Sequence, residues 1–91
     1  MTNEKPVALV TGAATGIGRS AAVALAKNGY DVVVNFSRSE DAAKLTAQQC
    51  EAGGARALLH RCDVSDDGAV RAMLAATEKE FGRLDVLINN A

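Results

Sequence analysis

Apolar residues fall along this chain in two alternating styles. Short unbroken runs, Val7-Ala8-Leu9-Val10, Val32-Val33-Val34, Ala57-Leu58-Leu59 and Val86-Leu87-Ile88, are separated by stretches where apolar positions recur every three or four residues. Runs of this kind predict strands buried on both faces, the habit of parallel sheets. The third run is the weakest, and its strand should close near Asp63-Val64. Ile17, Ala21 and Leu25 share a four-residue spacing, which predicts a helix over 19–28 stopped at Asn28-Gly29. Ser39-Glu40-Asp41 joins a hydroxyl cap to acidic first-turn residues, so a second helix should run to about Ala52 and stop at Gly53-Gly54. Ser65 is expected to cap a third helix, with Asp66 and Asp67 in its first turn. Gly68 stands there where a capping box would place Glu. Val70, Met73, Leu74, Thr77 and Phe81 form one apolar stripe on that helix, and Gly82 ends it.

The chain therefore reads β-α-β-α-β-α-β. That order implies an α/β fold with right-handed crossovers and a parallel sheet covered by helices on both faces. The connecting loops leave no room for a linker, so no domain boundary is placed within the 91 residues.

Composition then narrows the function. A hydrophobic fraction of 48% with 23% charged residues is that of a globular chain and argues against disorder. Ten Lys+Arg against eleven Asp+Glu give a net charge of −1, so no charge excess points to nucleic acid or an anionic membrane. Tyr30, Phe36 and Phe81 are too few for a base-stacking surface. The single His60 excludes HExxH, and with Arg61 it is expected to be an exposed polar residue at the end of the third strand. Cys50 and Cys62 make neither a disulfide framework nor a metal site and are expected to be small buried fillers. The stretch from Met1 to Pro6 lacks a signal-peptide core, and no apolar run approaches the roughly 18 residues of a membrane span. A cytoplasmic, non-membrane protein is expected.

The informative motif is Thr11-Gly12-Ala13-Ala14-Thr15-Gly16-Ile17-Gly18, where the first strand hands over to the first helix. A diphosphate bound there needs close backbone approach and free N–H groups. Glycine permits the first, and a helix N-terminus supplies the second together with a positive dipole.

This T-G-x-x-x-G-x-G pattern resembles the glycine motif of the short-chain dehydrogenase/reductase family, and the likeness runs from Val7 to Ala91. Asp63-Val64 is similar to the family's adenine-binding pair after the third strand. Asn89-Asn90-Ala91 is similar to the N-N-A-G that closes the fourth. The resemblance implies a Rossmann-type doubly wound sheet of order 3-2-1-4, incomplete in these 91 residues. It implies cofactor contacts from Gly12, Ala14, Thr15, Gly16, Ile17 and Gly18 at the phosphates. Asp63 and Val64 would lie at the adenine, and Asn90 and Ala91 at a ribose, with Asn89 steadying the sheet. It further implies a homo-oligomer, dimer or tetramer, with the Val70–Phe81 helix near a subunit interface.

Asn35-Phe36-Ser37-Arg38-Ser39 follows the second strand, where an NAD enzyme would place a carboxylate for the ribose 2′-OH. No acidic residue lies between Val32 and Ser39. Arg38 can take a 2′-phosphate bidentately, with Ser37 or Ser39 donating hydroxyls, which favours NADP(H). The plainer alternative is a solvated arginine beside a helix-capping serine. The family's catalytic Tyr-x-x-x-Lys is missing: the only tyrosine, Tyr30, precedes Val34 at the lysine's place. The chain is thus expected to be part of a longer NADP(H)-dependent reductase acting on a small-molecule or acyl-thioester substrate. Within the family it looks most like the 3-oxoacyl-(acyl-carrier-protein) reductases. A non-catalytic NADP-binding module is the alternative, and a methyltransferase-type domain is disfavoured by the missing acidic residue.

Overall fold

The computed structural model describes residues 3–90 of the chain. Four strands and three helices alternate: β1 (Val7–Val10), α1 (Gly16–Lys27), β2 (Asp31–Phe36), α2 (Glu40–Ala52), β3 (Ala57–Arg61), α3 (Asp67–Phe81) and β4 (Val86–Ile88). The strands form one parallel sheet in the order β3-β2-β1-β4, with Leu9 opposite both Val33 and Leu87. The element order and sheet topology are those expected from the sequence.

The pleat divides the core in two. Val10, Val32 and Val34 point to one face and pack with Ala22 and Ala26 of α1 and Ala43 and Cys50 of α2. Val7, Leu9 and Val33 point to the other and pack with Met73 and Phe81 of α3. Every residue of β1 and β2 is buried. Full burial of one such Val or Leu contributes about 1.5–3 kcal/mol, so these two strands anchor the fold. β3 is only half-covered.

Four local expectations are corrected. α1 begins at Gly16, and its buried face is Gly18, Ala22 and Ala26, while Ile17 is 80% exposed. Small residues lie on the sheet side because the helix passes close to the strands, and the larger apolar side chains sit outside or at the margin. Ser39 precedes α2 but makes no side-chain capping bond. The cap of α3 is Asp66, whose Oδ1 accepts from the Ala69 N–H at 3.1 Å. Ser65 falls one residue before the cap position, since the helix begins at Asp67, and its N–H and hydroxyl both donate to Asp63. Finally, β4 is not buried on both faces: Leu87 is 56% exposed, because the strand pairs with β1 alone. Leu74 and Val70 beside it are likewise incompletely covered. Cys50 and Cys62 are buried as expected, Arg61 is exposed, and His60 is half-buried.

At the edge of the sheet where the strands begin, buried Asp31 is fully partnered. Its Oδ1 accepts the Arg56 N–H and its Oδ2 the Asn3 amide, each at 2.8 Å. The glycine loop lies at the opposite edge, beyond the strands' carboxyl ends, where open α/β sheets hold their ligands.

Candidate functional site

The loop from Thr11 to Thr15 leaves β1 and turns back into α1. Gly12 and Gly16 have φ of 60° and 58°, a region that costs a side chain strain, so glycine is required for the turn at both ends. Gly18 is required for a different reason. A Cβ there would drive into the Gly12 carbonyl and come within 2.8 Å of Asn90 Nδ2. The glycine loop is thus folded flat against the helix it opens. The first-turn N–H groups of α1 have no intrahelical acceptor, and no acidic residue stands in that turn.

Three further side chains fix the loop. Asn35, 2% exposed at the end of β2, accepts the Gly12 N–H at 3.2 Å and donates to the carbonyls of His60 and Cys62. Asn90 donates its backbone N–H to Thr11 Oγ1 at 2.8 Å and its side-chain amide to the Gly12 carbonyl at 3.2 Å. Asn89 accepts from the Thr11 hydroxyl at 3.4 Å. Both asparagines therefore brace β1 against β4, whereas bracing was expected of Asn89 alone. Ala91 lies outside the described residues.

Two clefts open beside the loop. The larger, of about 250 Å³, is lined by Gly12, Ala14, Thr15, Phe36, Ser37, Arg38 and Ser39. This single space gathers three of the six predicted phosphate residues, Gly12, Ala14 and Thr15, with the predicted 2′-phosphate residues. Arg38 forms no salt bridge among the described residues, while Arg56, Arg61 and Arg83 are each paired with a carboxylate. The smaller cleft, of about 70 Å³, is lined by Gly12, Asn35, Ser37, Cys62, Asp63 and Val64. Hydrogen bonds from the hydroxyl and N–H of Ser65 hold the Asp63 carboxyl below the usual carboxylate range, and the charge of Arg38 adds to this. Among the described residues, the predicted Gly16, Ile17, Gly18 and Asn90 line neither cleft, and Gly16 and Gly18 shape the turn.

The sequence reading missed Asn35, Thr46 and Arg19 as supports. Thr46 is fully buried on α2 and donates to loop carbonyls. A polar residue at the end of an otherwise apolar strand was the available signal for Asn35. Nothing local marks Thr46.

A dinucleotide fits what these residues offer: a flat glycine turn at a helix N-terminus, a cation with hydroxyls nearby, and a carboxylate at the far end.

The short chain dehydrogenase family model matches residues 6–91. The chain is 44% identical over 84 residues to 3-oxoacyl-(acyl-carrier-protein) reductase FabG of Staphylococcus aureus, covering 92% of this chain and 34% of that protein. It thus spans about a third of that relative's length. It is 42% identical over 85 residues to the short-chain dehydrogenase/reductase homolog YusS of Bacillus subtilis, covering 93% of this chain and 78% of that one. Among solved structures, acetoin dehydrogenase from Enterobacter cloacae superposes with a TM-score of 0.88 at 39% identity, over 96% of this chain and 34% of the other.

Proposed function

The chain belongs to the short-chain dehydrogenase family, and from that premise we propose that it forms the cofactor-holding part of an NADP(H)-dependent oxidoreductase. The observation that carries the choice of NADP(H) is Arg38, which forms no salt bridge among the described residues and lines the cleft it shares with Ser37, Ser39 and Thr15. A guanidinium with adjacent hydroxyls matches a 2′-phosphate, and an NAD site would want a carboxylate in its place.

The nicotinamide dinucleotide supplies the hydride, exchanged with a carbonyl or alcohol carbon of the substrate. The residues of this chain hold and orient it. The glycine turn and the N-terminus of α1 receive the diphosphate, and Asp63 with Val64 bounds the adenine end. Asn35 and Asn90 keep the turn in shape. Relatives named as 3-oxoacyl-(acyl-carrier-protein) reductases support a 3-oxoacyl thioester as substrate, and a homo-oligomeric, cytoplasmic enzyme is part of the same reading. No Tyr-x-x-x-Lys occurs in the 91 residues, so proton transfer to the substrate is assigned to residues outside them.

The second reading is a nucleotide-binding module without catalysis. It is favoured by one relative, YusS, of which this chain already covers 78%. Fluorescence titration with NADPH tests the binding that both readings share. Substrate-dependent oxidation of NADPH in the presence of acetoacetyl thioester separates them. Because the first reading places proton transfer outside these 91 residues, the assay uses the full-length gene product: its binding NADPH without turnover supports the module, and no NADPH binding refutes both.

A further inference from the structure

Two side chains, one from α1 and one from α2, engage the carbonyls of the glycine loop. The Thr46 hydroxyl lies 2.9 Å from the Ala13 carbonyl, 3.2 Å from that of Ala14 and 3.3 Å from that of Ala42. Arg19, from the first turns of α1, donates Nε to the same hydroxyl at 2.9 Å. Its terminal nitrogen reaches the Ala14 carbonyl at 2.6 Å and the Ala42 carbonyl at 3.0 Å. A hydroxyl has one proton, so Thr46 cannot satisfy three carbonyls alone, and the guanidinium supplies the remaining donors. The result is a bracket joining α1, α2 and the loop.

The bracket has a consequence on the other side of each peptide. In a trans peptide the C=O and the following N–H point in opposite directions. Drawing the carbonyls of Ala13 and Ala14 back to Thr46 and Arg19 therefore turns the N–H groups of Ala14 and Thr15 the other way. Ala14 and Thr15 both line the 250 Å³ cleft. We propose that Arg19 and Thr46 are positioning residues for the cofactor's diphosphate: they fix the loop peptides with donors outward and acceptors inward, so that an anion meets N–H groups and no carbonyl. This rests on the dinucleotide reading above and adds to it a pair of residues that need not touch the ligand.

The test is Thr46→Val, which keeps the shape and removes the hydroxyl, beside Thr46→Ser, which keeps the hydroxyl. NADPH and NADH carry the diphosphate, whereas adenosine 2′-monophosphate probes the far end of the site without it. Thr46→Val is expected to weaken NADPH and NADH by a similar factor, about tenfold, as for one lost buried hydrogen bond. Adenosine 2′-monophosphate should bind as before, and Thr46→Ser should restore both dinucleotides to within about twofold. If Thr46→Val does not fold, Arg19→Lys, which keeps the charge and loses the fork, should give the same selective loss. Unchanged dinucleotide binding in the folded variant overturns the proposal. So does a parallel loss of adenosine 2′-monophosphate, which would mark general structural damage. If the unsubstituted protein binds neither dinucleotide, the cofactor reading falls and the bracket's role with it. If it binds both and the variant binds equally, only the bracket's role falls.

Discussion

The side-chain oxygen of Asn35 accepts the backbone N–H of Gly12 at 3.2 Å, tying the last turn of one buried strand to the first glycine beyond its neighbour. The same amide donates to the carbonyls of His60 and Cys62. One side chain thus serves the exits of β1, β2 and β3. Replacing it by leucine of similar volume would remove the acceptor of the Gly12 N–H and the side-chain donor to the His60 and Cys62 carbonyls. Asn35→Leu is expected to cost about 1–3 kcal/mol, read from urea denaturation. A change under about 0.5 kcal/mol would show that the amide is not a structural tie.

At Gly18, the smallest possible substitution is enough. In Gly18→Ala the methyl group collides with backbone, which cannot swing aside as a side chain can. The loop must shift, at about 1–3 kcal/mol by analogy with overpacked cores, and NADPH binding should fall below detection in calorimetric titration. Affinity equal to that of the unsubstituted protein would contradict the close approach of α1 to the loop.

Arg38→Asp replaces the arginine that lines the larger cleft with the carboxylate of an NAD site. A charge-assisted contact is worth about 1.5–3 kcal/mol, so NADPH should lose roughly ten- to a hundredfold in affinity. NADH should gain, reversing the preference. Parallel fluorescence titrations check this, and equal affinities before substitution would remove the premise.

The spine of this fold could be read directly because two strands are apolar at every position. Val7–Val10 and Val32–Val34 can only be buried on both faces, and that alone demands helices on either side. The helix surfaces were harder. In α1 the four-residue spacing selects Ile17, Ala21 and Leu25 or Gly18, Ala22 and Ala26 equally well, and size misleads: close packing against the loop takes the smaller set. Ser65 looked like a cap because its composition suits one, yet Asp63 two residues earlier captures it. The clefts' linings were largely legible, since Ser37, Arg38, Asp63 and Val64 follow directly from strand ends. Thr46 was not. Its partners are carbonyls 32 and 33 residues away, and no local pattern records them.

Acid should weaken the fold partly through Asp85. Arg83 grips this carboxylate with two nitrogens at 2.8 Å, and the Val7 N–H donates to it at the same distance. The Arg83 bond and the Val7 N–H hold its pKa below the ordinary value. A depressed folded-state pKa means the stabilisation is fully present above the unfolded value near 4 and is lost as pH falls through the folded one. Asp63 contributes with the same sign. In Asp85→Asn, the fall in melting temperature below about pH 4 should be shallower than in the unsubstituted protein. An unchanged slope would assign the acid sensitivity elsewhere.

The two thiols should be inert in the native state. Burial pushes Cys50 up to about 11, with the neighbouring Glu51 charge adding to it, and burial also raises Cys62. At pH 8 only about one Cys50 in a thousand is thiolate. Ellman's reagent should label both slowly until urea is added; rapid native labelling would refute this.

Asn90 and Gly12 meet across 78 positions of sequence, and the loop's shape depends on that meeting. Among its ties, Asn35 is made first in synthesis, Thr46 next and Asn90 after both. The cradle at the front of the chain therefore cannot be finished while the chain is still short. A nascent polypeptide carrying only β1, α1 and β2 holds every glycine of the motif in a turn braced by Asn35 but without Thr46 or Asn90. Competence for a dinucleotide is then acquired only when β4 docks beside β1, which makes ligand capture a report on that docking. Pairings so distant in sequence are also the slow ones to form. Hydrogen exchange should reflect this order, with the N–H groups of Thr11 and Asn90 gaining protection together in refolding and after those within α2.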